Sequence, residues 1–146
     1  MKSDLDSQTY DRWLIDSCIY QDNTLAIELV GGILSKEKED IDLGEGNIIK
    51  GVYRVEPKGP RYRVYFDDVV FIQVFDECAN KGQDDEFRDE GVIGQYKSSS
   101  LLSYIKSETL IMDITPGELL HFEVRTGEDW FHVVTREEPS ITKTVT

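Results

Sequence analysis

The strongest constraint on the fold of this chain is a series of short apolar segments that alternate with polar residues and end at turn sequences. The clearest is residues 61–66 (RYRVYF), where every second side chain is apolar, as on a half-buried strand. Pro57 to Pro60 forms the turn before it, and Asp67 with Asp68 breaks the pattern after it. Similar strand-like segments cover residues 12–20, 24–34, 48–56, 69–75, 119–126 and 130–135.

Only one segment has a helical pattern. Residues 101–110 place Leu101, Leu102 and Ile105 on one stripe, and the serines at 98–100 supply an N-cap. One helix cannot supply the crossovers of a parallel sheet, so the strands are predicted to be antiparallel. We predict an α+β, mainly β fold: an antiparallel sheet sandwich or half-open barrel with one short helix.

Two details of this prediction concern individual segments. Residues 36–46 (KEKEDIDLGEG) have no apolar period, which predicts a loop. Residues 69–75 (VVFIQVF) are apolar at almost every position, which predicts a central strand covered on both faces. The 146 residues fit a single domain, 1–146, in which the Ser/Thr-rich end, 136–146, is expected to fray.

The chain is strongly acidic, with 16 basic and 29 acidic residues and a formal net charge of −13. This charge disfavours nucleic-acid binding and favours encounter with basic proteins, although it also serves solubility. The acids concentrate in segments 36–46 and 76–90. The candidate partner-binding residues are therefore Glu37, Glu39, Asp40, Asp42, Asp84, Asp85, Glu86, Asp89 and Glu90.

The chain carries no sign of export, membrane insertion or a cofactor site. Its first thirty residues lack a signal-peptide pattern, and its longest apolar runs are too short to span a bilayer, so we expect a cytoplasmic protein without membrane contact. Cys18 and Cys78 are expected to be reduced thiols, and whether they meet stays open. No phosphate loop, nucleophile elbow or metal-ligand spacing is present, so no cofactor or metal is predicted.

One polar face has the residue types of a catalytic site. In segment 119–126, His121, Glu123 and Arg125 alternate onto one face, and His132 lies in the segment that would pair with it. Such a set could supply general acid–base catalysis and anion stabilisation. The favoured interpretation is the ordinary solvent-facing side of an antiparallel sheet.

The C-terminal 85 residues resemble a group of short uncharacterised bacterial proteins. The shared pattern is residues 61–77 (RYRVYFDDVVFIQVFDE), the serine-led helix 98–107, the hairpin 121–135 and Glu-Glu-Pro at 137–139. No activity or catalytic residue is implied by this group. Small acidic proteins of this kind are similar in appearance to immunity proteins of bacterial toxin systems.

The sequence therefore leaves three functions to weigh. The first is a non-catalytic acidic protein-binding module, in its most concrete form an immunity-like inhibitor of a basic toxin or nuclease. The second is an enzyme or small-ligand binder that uses the His121, Glu123, Arg125 and His132 face. The third is a homo-oligomeric subunit joined through exposed sheet edges.

Overall fold

The computed structural model describes residue 5, residues 10–76, residue 78 and residues 88–144. The described chain is mainly β, with two short α-helices and one 3-10 turn at Tyr10–Arg12. Its elements are β1 (Trp13–Gln21), β2 (Thr24–Gly31), β3 (Ile33–Asp42), β4 (Ile48–Glu56), β5 (Arg61–Phe66), β6 (Val69–Asp76), β7 (Ile93–Tyr96), α1 (Ser100–Glu108), α2 (Ile111–Ile114), β8 (Leu120–Arg125), β9 (Asp129–Thr135) and β10 (Ser140–Thr144).

The strands form three antiparallel sheets. The first sheet has the order β1-β2-β5-β10, and the second has the order β6-β9-β8-β7. Strands β3 and β4 pair only with each other and form a separate two-stranded ribbon, here called the arm. The predicted fold class, α+β and mainly β with antiparallel sheets, is confirmed.

The main core lies between the first and second sheets. It joins alternate residues of β2 and β5 to alternate residues of β8 and β9, and Phe66 meets Phe122 with ring centroids 5.9 Å apart. Leu5, which is fully buried, and Trp13, the first residue of β1, also belong to this core. The molecule is thus a sandwich whose interior is the apolar face of each amphipathic strand.

The two helices cover part of the outer face of the second sheet. Ser99 caps α1 by accepting a 3.0 Å hydrogen bond from the backbone N–H of Leu102, as the serine run predicts. Leu102 and Ile105 of α1 pack with Val134 of β9 in a second apolar cluster. The second sheet is therefore covered on both faces where these helices lie.

Antiparallel hairpins join neighbouring strands near both ends of the chain. Strands β1 and β2 join through Asp22 and Asn23, whose φ angles of 52° and 60° are those of a tight two-residue hairpin turn. Strands β8 and β9 pair in the register that sets Glu123 opposite His132.

Three segment predictions need correction. Residues 36–46 do not form a loop as a whole, because their first seven residues belong to β3. Strand β6 is an edge strand of the second sheet, and β8 and β9 are its central strands. The end of the chain is ordered at residues 140–144, where β10 pairs with β5 and Ile141 packs against the core.

No helix in the described part of the chain is long and apolar enough to cross a membrane.

Candidate functional site: a buried polar cluster and an exposed arm

The four residues of the predicted polar face lie together on the outer face of the second sheet. His121, Glu123 and Arg125 alternate along β8, and His132 of β9 stands directly opposite Glu123. Their surroundings differ from the prediction, because His121 and Glu123 are each only 1% exposed. The expectation of a solvent-facing sheet side is therefore wrong at these two positions.

Glu123 is the centre of this buried cluster. Its Oε1 lies 2.9 Å from Nε of Arg88 and also pairs with Nε of Arg125. Its Oε2 accepts a 3.1 Å hydrogen bond from the hydroxyl of Tyr96 and lies 3.1 Å from Nε2 of His132. A buried carboxylate needs such partners, since an unpaired charge in the interior is strongly unfavourable.

A chain of hydrogen bonds connects this carboxylate to the start of α1. Oγ of Ser99 lies 2.7 Å from Nδ1 of His121, and Nε2 of His121 lies 2.8 Å from Nδ1 of His132. If Ser99 donates to His121, His121 donates to His132 and His132 donates to Glu123, both imidazoles are satisfied in their neutral forms. The cluster thereby links the helix N-cap to both central strands.

Aromatic rings close the cluster from two sides. Tyr96 of β7 stacks on His121 with ring centroids 4.4 Å apart. Phe75 of β6 stacks on His132 at 5.3 Å. These rings replace water around the imidazoles, so the polar contacts lie in a low-dielectric setting that strengthens them.

Gly94 makes room for the arginine that reaches Glu123 from outside the sheet. It stands opposite Glu123 in β7, where a Cβ would come within 2.6 Å of Cζ of Arg88 and 2.3 Å of the carbonyl oxygen of Asp89. Arg88 also donates hydrogen bonds to the carbonyl oxygens of Asp89, at 2.7 Å, and Gly91, at 3.0 Å. The guanidinium thus ties residues 88–91 to the sheet.

Burial shifts the pKa values of three groups in the cluster. Burial, followed by the nearby His132, lowers the pKa of His121 to about 3. Burial, with the charge of Arg125, lowers the pKa of Arg88 to about 10, and this arginine stays protonated at neutral pH. Burial and then Glu123 raise the pKa of Tyr96 to about 12. At neutral pH, His121 and Tyr96 are therefore uncharged.

These features suit stabilisation of the fold better than catalysis. A general base works best with a pKa near the working pH, and the pKa of His121 is far below it. Both oxygens of Glu123 already have two partners each. The cluster has the residue types that the enzyme hypothesis names, but its geometry is that of an interior polar network that holds β7, β8, β9 and α1 together.

The arm is the second candidate site, and it holds the first predicted acidic group. Glu37, Glu39, Asp40 and Asp42 all lie on β3 and are exposed. Asp40 accepts a 3.1 Å hydrogen bond from the backbone N–H of Gly51, and Asp42 accepts one of 2.8 Å from that of Gly44. These two acids shape the arm itself. Glu39 lies 3.5 Å from Nε of Arg54 in an exposed ion pair, which is weak in water, so Glu37 and Glu39 are better placed than Asp40 and Asp42 to contact a partner.

Bulges give the arm its irregular register. One lies at Gly51, whose φ of 68° is typical of a bulge glycine, and Asp40 supplies the acceptor for its N–H. The other lies opposite Arg54, whose N–H donates to Oγ of Ser35 at 2.9 Å. Side chains therefore complete the hydrogen bonding where the backbone ladder is interrupted.

The arm exposes an unusual amount of apolar surface. Ile48 and Ile49 are neighbours on β4 and point to opposite faces, yet they are 52% and 45% exposed. Ile33 and Leu34 do the same on β3. Within residues 33–56, the exposed large apolar side chains are Ile33, Leu34, Ile41, Leu43, Ile48, Ile49, Tyr53 and Val55. Clusters of this kind mark interaction surfaces.

Charge is distributed unevenly along the arm. The arm tip, residues 39–49, has four acids and no base, whereas the arm base, residues 33–38 and 50–56, has four bases and two acids. The tip therefore carries a formal charge of −4 and the base +2.

Of the second predicted acidic group, Asp89 and Glu90 are exposed, and Asp84, Asp85 and Glu86 lie outside the described residues.

Sequence reasoning missed several members of both sites. Tyr96 and Arg88 carry no local signal, because their role depends on how β7 packs beside β8. Ser99 is predicted as a cap, and its second bond to His121 is visible only in the structure. Ile41 and Leu43 were recognisable as apolar, but residues 36–46 have no apolar period, which led to the prediction of a loop.

No three His, Cys, Asp or Glu side chains among the described residues are arranged to hold a metal ion. Comparison of the chain with protein-family models, curated proteins and solved structures finds no match.

Proposed function

We propose that this protein is a non-catalytic protein-binding module and that the arm is its contact element. The partner would present a basic surface with apolar pockets. An immunity-like inhibitor of a basic toxin or nuclease is the most concrete form of this function.

The observation that carries the proposal is the exposure of the arm. Eight of the fourteen exposed large apolar side chains among the described residues lie within residues 33–56. A two-stranded ribbon is only marginally stable by itself, and apolar surface of this extent gains free energy when a partner covers it. The exposure on both faces suits insertion into a cleft of the partner.

The charge of the arm tip supports a basic partner. Four acids without a base attract a positively charged surface and accelerate association, whereas the apolar side chains between them provide contacts that slow dissociation. Inhibition by covering a basic cleft requires both properties.

Charge reversal at the tip tests this proposal. Wild-type protein is used to capture partners from lysate of its native cells, and a captured basic protein is then purified for kinetic measurements. The double variant Glu39→Lys/Glu45→Lys changes two acids of the arm tip. It is compared with the double variant Glu108→Lys/Glu118→Lys, which changes two acids away from the arm, and all four side chains are exposed. Both double variants have the same net charge, so a difference between them reports position.

The expected result is an association rate that falls about tenfold or more for the tip variant at low salt and changes much less for the control. Equal effects of the two variants would mean that the arm is not the contact element. Capture of no specific basic protein would argue against the proposed function itself.

A further inference from the structure

We infer that the free protein forms a symmetric dimer in which two arms lie side by side in antiparallel orientation. This inference goes beyond the proposed function and does not depend on it, because it concerns the protein alone. Where both hold, the second copy and the basic partner compete for the same arm tip.

Acidic and basic residues are segregated along the arm, and this favours an antiparallel pair. In an antiparallel pair related by a two-fold axis, the tip of each arm, at −4, lies along the base of the other, at +2. Every favourable contact occurs twice. A parallel pair would instead place tip against tip and base against base, and both of these contacts are repulsive.

Exposed apolar side chains are divided evenly between the two halves of the arm. Each half of the arm exposes four of them: Ile41, Leu43, Ile48 and Ile49 at the tip, and Ile33, Leu34, Tyr53 and Val55 at the base. Apolar surface therefore meets apolar surface along the full length of an antiparallel pair. Both strands of the arm are also edge strands of a two-stranded sheet, which suits lateral contact with a second copy.

The net charge of −13 opposes association of two copies, but mainly at long range. At physiological ionic strength, charges that lie farther apart than about 8 Å are largely screened. Contacts between tip and base act within that distance. The complementary arms therefore determine whether the dimer forms.

Sedimentation and light scattering of the purified protein give the first test. At concentrations of tens of micromolar and physiological salt, we expect a species with twice the mass of one chain. A monomer throughout this range would overturn the inference and leave the proposed function untouched.

Matched variants then test the surface. Lys36→Glu with Lys50→Glu reverses charge at the arm base, and Lys97→Glu with Lys106→Glu makes the same change at exposed positions away from the arm. We expect the first pair to raise the dimer Kd on the order of tenfold or more, and the second to change it little. Equal effects would overturn the assignment to the arm. The double variant Ile41→Ser/Ile49→Ser removes apolar surface from the arm tip and should also raise the dimer Kd. Ile19→Ser, an exposed position on β1, should change it little.

A spin label at the tip tests the orientation. With Cys18 and Cys78 replaced by serine, Asn47→Cys provides a single attachment point beside the turn of the arm. An arm strand of about nine residues is roughly 30 Å long, so antiparallel arms hold the two labels on the order of 30 Å apart. A distance short enough for the two tips to touch would overturn the antiparallel arrangement.

Discussion

Glu123 carries a buried carboxylate that joins several parts of the second sheet. Two arginines, a tyrosine and a histidine converge on its carboxylate, and three of the four come from parts of the chain outside β8. Such a group adds little net stability compared with an apolar core, but loss of one partner is costly because the others stay buried. Its value for the fold lies in fixing which elements meet.

Glu123→Gln should therefore destabilise the protein by about 3 kcal/mol or more, since Arg88 keeps a charge that the amide cannot neutralise. Urea denaturation measures this loss. Glu28→Gln removes one partner of an exposed pair with Arg63 and should cost less than about 1 kcal/mol. If the two substitutions cost the same, the buried carboxylate does not organise the cluster.

His121 should make stability depend on pH. Its pKa is lowered to about 3 in the folded protein, so at mildly acidic pH the unfolded chain binds a proton that the folded chain does not. Its contribution is present above about pH 6.5 and is lost as the pH falls toward the folded pKa, by up to ~1.4 kcal/mol per pH unit.

His121→Gln removes this titration and retains hydrogen-bonding capacity. The cost of the substitution should be greatest near pH 7.5 and should shrink between pH 6 and pH 5, when unfolding free energies of variant and wild type are compared at each pH. A cost that is constant over this range would mean that the folded protein protonates His121 at the same pH as the unfolded chain does.

At the scale of elements, Ser99 connects α1 to the second sheet. Its hydroxyl accepts a bond from the N–H of Leu102 and contacts Nδ1 of His121, so one side chain serves both a helix end and the polar cluster. This double role explains why the helix begins where it does and why it lies over β8.

Ser99→Ala should destabilise the protein by about 2 kcal/mol, because it removes the cap and one partner of His121. Ser99→Thr retains the hydroxyl and should recover most of this loss. Ser103→Ala, in the same helix and exposed, is the control. It removes one hydrogen bond to the carbonyl oxygen of Ser99 but leaves the cap in place, and it should cost less than about 1 kcal/mol. A thermal or urea unfolding series that ranks the Ser99→Ala and Ser103→Ala variants as equals would contradict this role.

The same elements show what the sequence could and could not predict. Helix α1 and strand β5 were predicted well because their cap and their alternation are local signals. Strand β6 is apolar on both faces, which predicted a central position in the sheet. Its two faces are covered in different ways, because Ile72 packs in the sandwich core and Phe71 packs under the helices. Coverage by helices, and not a position inside the sheet, explains that pattern.

Strand β3 was missed for the opposite reason. A strand that buries neither face has no apolar period, and two of its bonds are made by the side chains of Ser35 and Asp40 at bulges. The residues of the polar cluster could be placed on one sheet face from their alternation. Their burial follows from α1, β7 and residue 88, whose positions depend on tertiary packing.

At the scale of the whole molecule, the arm is separable from the sandwich. Neither of the two apolar clusters of the described residues includes a side chain from residues 33–56. The connection is narrow, because Ile33 and Glu56 are paired neighbours and the N–H of Gly31 bonds to the carbonyl oxygen of Pro60 at 2.8 Å. The sandwich should therefore not need the arm in order to fold.

Replacement of residues 33–56 by a Gly-Asn-Gly linker should leave the sandwich folded, since paired strand residues are close enough for a short turn to join them. Near-ultraviolet circular dichroism of Trp13 and Trp130 and urea denaturation of dilute protein should match the full chain within about 1 kcal/mol. Deletion of residues 140–144 is the contrasting case, because it removes β10 and the packing of Ile141 on the core. If loss of the arm unfolds the protein as readily as loss of β10, the arm is part of the folding unit, and its exposed apolar side chains stabilise the chain itself.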